Sequence, residues 1–508
     1  MRYSKMMMMV QKVLNDVSET NIDFCMSSQM ARQIELWSKM YENHPPWKSK
    51  TVDVIGLPAA IAGEIARLTT LELKTECKGS ARASYIDKVY QKVLKNLRIY
   101  TEYGCAKGGL IFKPYPSLGG VDVQIIQADC FFPISFDGSG KISQCVFLEQ
   151  FRKGDKIFSR LEIHTLQNQV LTINNRVFLS TNDFTLGSEI SIGMVDRWAE
   201  LVPSISFSGV ERLPFGYFKV PLANSEDSDS PLGVSVYSRA PGAIKEADRR
   251  YSQINWEYDA KEAAVHIAQS LLRLNPQTQE TEYPEGKDRL YRDFEYNAGA
   301  VDKPLLEPYS PDIRDQSYFN GLNKQFRIIE FLCNLAYGTL SDPNNVDKTA
   351  EEIKTSKQRS YQFVSDTQGA LQDALEDLLY AIDFYCTVYN LAPSGAYTAS
   401  YVWDDSIVRD TDAIIDKNIK LTQADLRSRI MAIMEIDKCT EEEALEEIKR
   451  MAEDNQIIGQ DVDWTRGDQD ESEQENGDAE ENKEEKEKKA DDSQGREKAV
   501  KTDKKQVM

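Results

Sequence analysis

The chain has 508 residues, 41% of them hydrophobic and 28% charged, with a formal net charge of −21 at pH 7. That length exceeds what one ordinary core fills, which implies two or more domains, and the acidity excludes a surface that grips nucleic acid through an excess of Lys and Arg. It does not exclude a wall that encloses DNA without holding it, because a surface that repels phosphate lets a duplex slide where a basic one would brake it.

In chain order, residues up to about 110 read mainly as helix. Over 55–73, Leu57, Ile61, Ile65 and Leu68 fall on one helical face, and over 81–100 Tyr85, Val89, Tyr90, Val93, Leu94 and Leu97 continue the pattern. From Gly109 to about Val220 the period changes. Short runs at 110–112, 121–126, 144–151, 160–164 and 169–173 alternate or carry β-branched residues. Turn signals separate them: Asp137-Gly138-Ser139-Gly140, Lys153-Gly154-Asp155 and Asn174-Asn175. This predicts antiparallel hairpins with their polar faces in solvent.

A polar loop at 222–232 precedes a predicted helix over 241–266. Ile244, Ala247, Tyr251, Ile254 and Tyr258 step by three and four along it, a seam suited to packing against other helices, and Pro241 suits an early helical position. The stretch 271–314 is rich in Pro, Gly and charge and reads as a small α/β insertion. A second helix is expected over 318–337, with Leu322, Phe326, Ile329 and Leu332 on one face and Gly338 as its stop. The breaker cluster Ser341-Asp342-Pro343-Asn344-Asn345 must be a loop. The longest helix comes next, over 349–389, with Thr349 and Glu352 as a capping box and Gly369 as a point of bending. Then come a strand at 397–403 and helices at 421–435 and 440–454, the last opened by a capping box, Thr440-Glu441-Glu442-Glu443. After Gly459 the composition collapses to Asp, Glu, Lys, Gln and Ser, which predicts a disordered acidic tail.

Catalytic constellations are missing. No Gly-rich run ends in Lys-Ser or Lys-Thr, and Gly108-Gly109 reads as a turn rather than a phosphate cradle. There is no Gly-x-Ser-x-Gly elbow. The three histidines, His44, His164 and His266, stand alone and read as structural. The acidic pairs Asp404-Asp405 and Glu351-Glu352 have lysines and serines as neighbours, which suits a solvated face better than a metal site. The eight cysteines (Cys25, Cys77, Cys105, Cys130, Cys145, Cys333, Cys386, Cys439) are scattered, a pattern of inert thiols in a reducing compartment. No apolar run approaches a membrane span, and Met6 to Val10 is too short for a signal segment, so synthesis in the cytosol is expected.

Against this background several stretches resemble one family. Ile111-Phe112-Lys113-Pro114-Tyr115, Gln127-Ala128-Asp129 and Phe132-Pro133-Ile134-Ser135-Phe136 are similar to the β-rich part of portal proteins from phages of Gram-positive bacteria. So are Arg160-Leu161-Glu162-Ile163-His164 and Leu171-Thr172-Ile173-Asn174-Asn175. Phe215-Gly216-Tyr217-Phe218-Lys219-Val220-Pro221, Asn224 and the run Ser230 to Val236 resemble the segment before that family's first long helix. Ser310-Pro311-Asp312-Ile313-Arg314, Leu322-Asn323, Arg327, Glu330 and Asp347-Lys348-Thr349-Ala350-Glu351-Glu352 continue the match in the same order. The resemblance covers about 50–400; the loop 339–346 departs from it by lacking the family's aromatic residue.

The resemblance implies an α+β portal fold and a homo-oligomeric ring of about twelve subunits, closed head to tail around a DNA channel at one capsid vertex. The wing would be 1–239, the two stem helices 240–266 and 318–338, and the clip 267–317. The tunnel loop would be 339–348, the long wing helix 349–391, the strand and crown helices 392–458, and the acidic tail 459–508. Asn344, Asn345 and Lys348 in the loop, with Lys354 and Lys357 on the next helix, would make passing contacts with phosphate. The implied partners are double-stranded DNA, the terminase large subunit, head-completion or adaptor proteins, and scaffold and major capsid proteins. No cofactor, metal, membrane or catalytic activity is implied. The place is the virion, after assembly in the host cytoplasm. The alternative is a head-associated structural protein without a channel.

Overall fold

The computed structural model describes residues 3–15, 24–117, 119–138, 140–182, 185–268, 273–274, 281–282, 291–294, 306–310, 312–342, 350–403, 411–437 and 439–461. The chain divides into two compact units, Met1–Asp405 and Ser406–Met508. The first opens with helices α1 (Tyr3–Asn15), α2 (Ser28–Tyr41), α3 (Leu57–Thr70), α4 (Ala81–Leu94) and α5 (Leu97–Lys107), with strand β1 (Leu73–Gly79) between α3 and α4. The expected helix over 81–100 is thus two. Asn96 breaks the run, and Leu97, buried, restarts it. β1 is an addition to the mainly helical reading. Its pattern Leu-Lys-Thr-Glu-Cys-Lys-Gly is too polar to announce a strand, and its partner β16 (Tyr397–Trp403), the strand foreseen there, lies far along the chain.

Gly108 ends α5 in the left-handed region at φ 90°, and a Cβ there would meet the carbonyl oxygen of Gly233 at 2.5 Å. The turn read from Gly108-Gly109 is therefore a place where two backbones touch, which a bare Cα permits. It launches β2 (Gly109–Ser117), which pairs with β3 (Gly120–Gln127) and with β10 (Gly216–Lys219). A larger antiparallel sheet joins β4 (Phe131–Phe136), β5 (Ile142–Lys153), β6 (Lys156–Gln167), β7 (Val170–Ser180) and β8 (Ser188–Ile190), with β9 (Ser204–Ser208) also on β7. The β runs expected at 110–112, 121–126, 144–151 and 160–164 fall inside these strands, and the run at 169–173 does so from Val170 on.

Two expectations about this region fail. Asn174-Asn175 is not a turn but the middle of β7, opposite Ile163 and Glu162. The reversal is made by Asn168 and Gln169, both at positive φ (50° and 61°), the geometry that two-residue hairpins need. Nor is the polar face of β6 in solvent: Arg160, Glu162 and His164 are buried, with Lys113 of β2 on Glu162, Glu149 of β5 on Arg160, and His164 bonded to Glu162.

Next come α6 (Pro241–Ala260), the short strands β11 (Ala264–Ala268), β12 (Arg273–Leu274), β13 (Thr281–Glu282), β14 (Tyr291–Phe294) and β15 (Leu306–Tyr309), and then α7 (Asp315–Leu332). β11 lies between β14, parallel to it, and β15, antiparallel to it. The 39-residue α8 (Ala350–Val388), about 58 Å long at 1.5 Å per residue, runs through the core. Its Leu371, Ala374, Leu375, Leu378 and Ile382 are fully buried, the spacing of one helical face. β10 crosses it so closely that a Cβ on Gly216 would stand 2.1 Å from the carbonyl oxygen of Ala374. Trp37, Tyr90 and Tyr237 fill the same core, the Tyr237 hydroxyl donating to the carbonyl of Trp37.

The second unit contains α9 (Thr411–Gln423), α10 (Arg429–Asp437) and α11 (Glu441–Asp461). The single helix expected over 421–435 is instead the end of one helix and most of another, separated at Asp425, which takes φ 53°. The capping box at Thr440 is present: Glu443 N–H donates to Thr440 Oγ1, and Thr440 N–H donates back to the Glu443 carboxylate. α11 continues to Asp461, past the change of composition at Gly459, and the rest of the acidic tail lies outside the described residues.

Candidate functional site

α6 and α7 form an antiparallel pair. Gln325 donates to the carbonyl of Ala243 at one end (3.1 Å), and Arg250 donates to the carbonyl of Gly321 midway (2.9 Å). At the other end the Arg314 guanidinium forks onto Glu257 at 3.1 Å to each oxygen. Lys261 also reaches Glu257, at 2.7 Å. The hydrogen bonds from Arg314 and Lys261 hold the Glu257 carboxyl down to about 2. α6 ends at Ala260, six residues before the expected point, because Ala264, Val265, His266 and Ile267 already belong to β11.

The seam read along α6 splits. Ile244, Ala247 and Ile254 are buried within the chain, while Tyr251 and Tyr258 are exposed. α7 likewise stops early, at Leu332. Asn334, not Gly338, is the first residue beyond it in the left-handed region, and Leu335 N–H bonds back to the Glu330 carbonyl.

The chain just beyond α7 is strapped down. Glu330, fully buried, accepts from the N–H groups of Gly338 (3.1 Å), Leu340 (2.6 Å) and Ser341 (2.8 Å), and from the Ser341 hydroxyl (2.9 Å). Asp342 N–H donates to Asn323 Oδ1 at 2.8 Å. From α8, Ser356 Oγ accepts from Tyr337 N–H, and Arg359 donates to the Leu335 carbonyl while lying over the rings of Phe331 and Tyr337. The base of the expected tunnel loop is thus tied to both flanking helices.

Of the residues expected to face a channel, Asn344, Asn345 and Lys348 lie outside the described residues, as does Thr349 of the expected capping box. Lys354 is in α8, with its side chain outside the description, and Lys357 is exposed on the same helix. Glu330, Asn323, Ser356 and Arg359, which hold the loop base, were not foreseen as a group. The available signal was a glutamate directly after Ile329 on the apolar face of α7.

The histidines do not assemble a site. His44 is exposed beside the Glu42 carbonyl, and His266 stacks on Tyr309. His164 is buried edge-on to Phe147, its Nε2 2.7 Å from Glu162. Burial would raise the Glu162 carboxyl, but Lys113, His164 and Arg160 outweigh it and hold it well below the usual range. Burial lowers His164 and keeps it neutral, its Nε2–H donating to Glu162. Among the described residues no group of side chains could hold a metal ion, and no helix is long and apolar enough to cross a membrane. Asp404-Asp405 lies outside the description, and so do the side chains of Glu351-Glu352. All eight cysteines are free, as their scatter led one to expect.

A sequence model of one family, "Phage portal protein, SPP1 Gp6-like", matches residues 73–459. The chain belongs to this phage portal protein family. Portal proteins are structural components of phage particles, not enzymes. The portal chain is also similar to one in a solved structure described as the neck of a native GTA particle computed with C12 symmetry. The two are 11% identical, with 75% of this chain and 90% of that one covered and a TM-score of 0.38. No curated protein sequence matches it.

Proposed function

We propose that this portal protein is the subunit of a closed homo-oligomeric ring, of about twelve copies, that forms the DNA channel at one capsid vertex for packaging and ejection. The observation that carries the reading is the family match over most of the chain. The helix pair ending in a strapped loop before a long helix agrees with it. In this reading residues 1–239 are the wing, α6 and α7 the stem, and the strands between them the clip that meets the terminase and later the head-completion proteins. The loop 339–348 reaches toward DNA, α8 crosses the wing, and α9 to α11 form the crown. Asn344, Asn345, Lys348, Lys354 and Lys357 then touch phosphate in passing, and the net charge of −21 keeps the remaining wall from holding the duplex. The separate terminase supplies ATP hydrolysis.

Light scattering and negative-stain imaging of the purified protein test the ring. The expected particle has about twelve subunits and a central hole near the ~20 Å width of a duplex. A compact two-fold dimer overturns the reading. For the loop, Lys348→Ala with Asn344→Ala is expected to leave assembly intact and impair packaging; normal packaging would remove these residues from the channel.

A further inference from the structure

The α6–α7 pair carries a projecting apolar side chain on one flank and an open groove of mixed polar and apolar lining on the other. On α6, Trp256 is 71% exposed. It stands six residues, about 120° round the helix, from Arg250, which reaches α7, and so projects from a flank of α6 rather than toward α7. On α7, Gln325 is the residue that reaches α6, and Asn323 lies about 200° round from it. There an open groove of about 480 Å³ is lined by Gln316, Phe319, Asn323, Phe326, Leu340 and Asp342. It lies on the side of α7 away from α6, closed on one margin by the strapped loop.

We propose that this groove receives Trp256 of a second copy of the chain. The inference rests on the ring reading above and names its contact. A ring that closes head to tail needs two different, complementary patches on each copy, and a projecting indole on one flank with a groove on the other meets that need. The groove is larger than one indole requires, and Trp is among the residues that dominate interface energies when they fill a pocket.

Height decides the register. Rotation about an axis running along the helix pair leaves each residue at its own level. Within one copy Glu257 is level with Arg314, and Arg250 with Gly321. A neighbour's Trp256 therefore arrives at the Gln316 and Phe319 end of the groove. Its Arg249, whose side chain is 61% exposed and pairs with Glu246 of its own helix at 3.8 Å, arrives near Asn323 and the carboxylate of Asp342.

The test is a chain carrying Trp256→Cys and Phe319→Cys, assembled and treated with a short bismaleimide. On a denaturing gel it is expected to give a ladder rising in steps of one 57.8 kDa chain, while each single variant and the unsubstituted chain stay monomeric. Rings visible by negative stain without a ladder overturn the proposal. A second variant, Trp256→Ala, is expected to raise the concentration needed for half-assembly by tenfold or more, about 1.4 kcal/mol or above, with an unchanged circular dichroism spectrum. Assembly equal to the unsubstituted chain overturns the proposal independently. An unsubstituted chain that forms no ring overturns the ring reading itself, and this contact with it.

Discussion

At the scale of single residues, the interior of the large sheet is where charge and burial compete most directly. Lys113 bonds Glu162 at 2.6 Å, Arg160 approaches the same carboxylate at 3.0 Å, and His164 takes its other oxygen. Burial lowers His164 most, and the charges of Lys113 and Arg160 beside the same carboxylate add to it, so the imidazole stays neutral. A histidine whose folded pKa lies below its unfolded value of about 6.5 contributes stability above that pH and loses it as pH falls. The urea midpoint is therefore expected to drop between pH 7.5 and 5.5, by up to about 1.4 kcal/mol per pH unit for this group. His164→Gln keeps a donor for Glu162 and should flatten that slope; an unchanged slope would assign the pH dependence elsewhere. The alternation Arg160-x-Glu162-x-His164 was legible as one strand face. Its burial was not, because Lys113 comes from another strand and nothing local to β6 announces it.

At the scale of elements, periodic interiors were easier to read than ends. The faces of α3, α4, α7 and α8 follow from apolar spacing, and the Thr440 capping box follows from local hydrogen bonding. The ends that moved were decided by competition. α6 stops where a strand takes over, and α7 stops where Asn334 accepts a left-handed turn that the sequence assigned to Gly338. β1 was missed since it exists only through β16, a pairing no local pattern encodes. The Glu330 strap belongs to this scale, as it fixes how one helix is joined to the next. Glu330→Leu would remove the one acceptor, Glu330 Oε1, that the N–H groups of Gly338, Leu340 and Ser341 share. It is expected to cost about 1–3 kcal/mol in the urea midpoint. Hydrogen exchange at 338–342 should quicken while overall helicity stays unchanged, and unaltered exchange there would deny Glu330 its role.

At the scale of the whole molecule, an acidic chain with scattered thiols and no catalytic constellation in its sequence points toward a structural role, and membership in a structural phage family agrees with that. The order of helix, insertion, helix, breaker and long helix was legible as well, from Pro241 at the head of the first helix and the cluster Ser341 to Asn345 before the last, although the boundary between α6 and β11 carries no Pro, Gly or Asn. What no single sequence encodes visibly is which surfaces meet between copies, since that depends on levels along two helices fixed only by their packing. The strap after α7 has one more consequence, a mechanical one. Its bonds to Ser356, Glu330 and Asn323 follow one another along the chain, at Tyr337, Gly338, Leu340, Ser341 and Asp342. A tug on the chain past Asp342 therefore meets the bond to Asn323 first and the shared Glu330 acceptor next, and must free the chain from α7 before it loads the bond to α8.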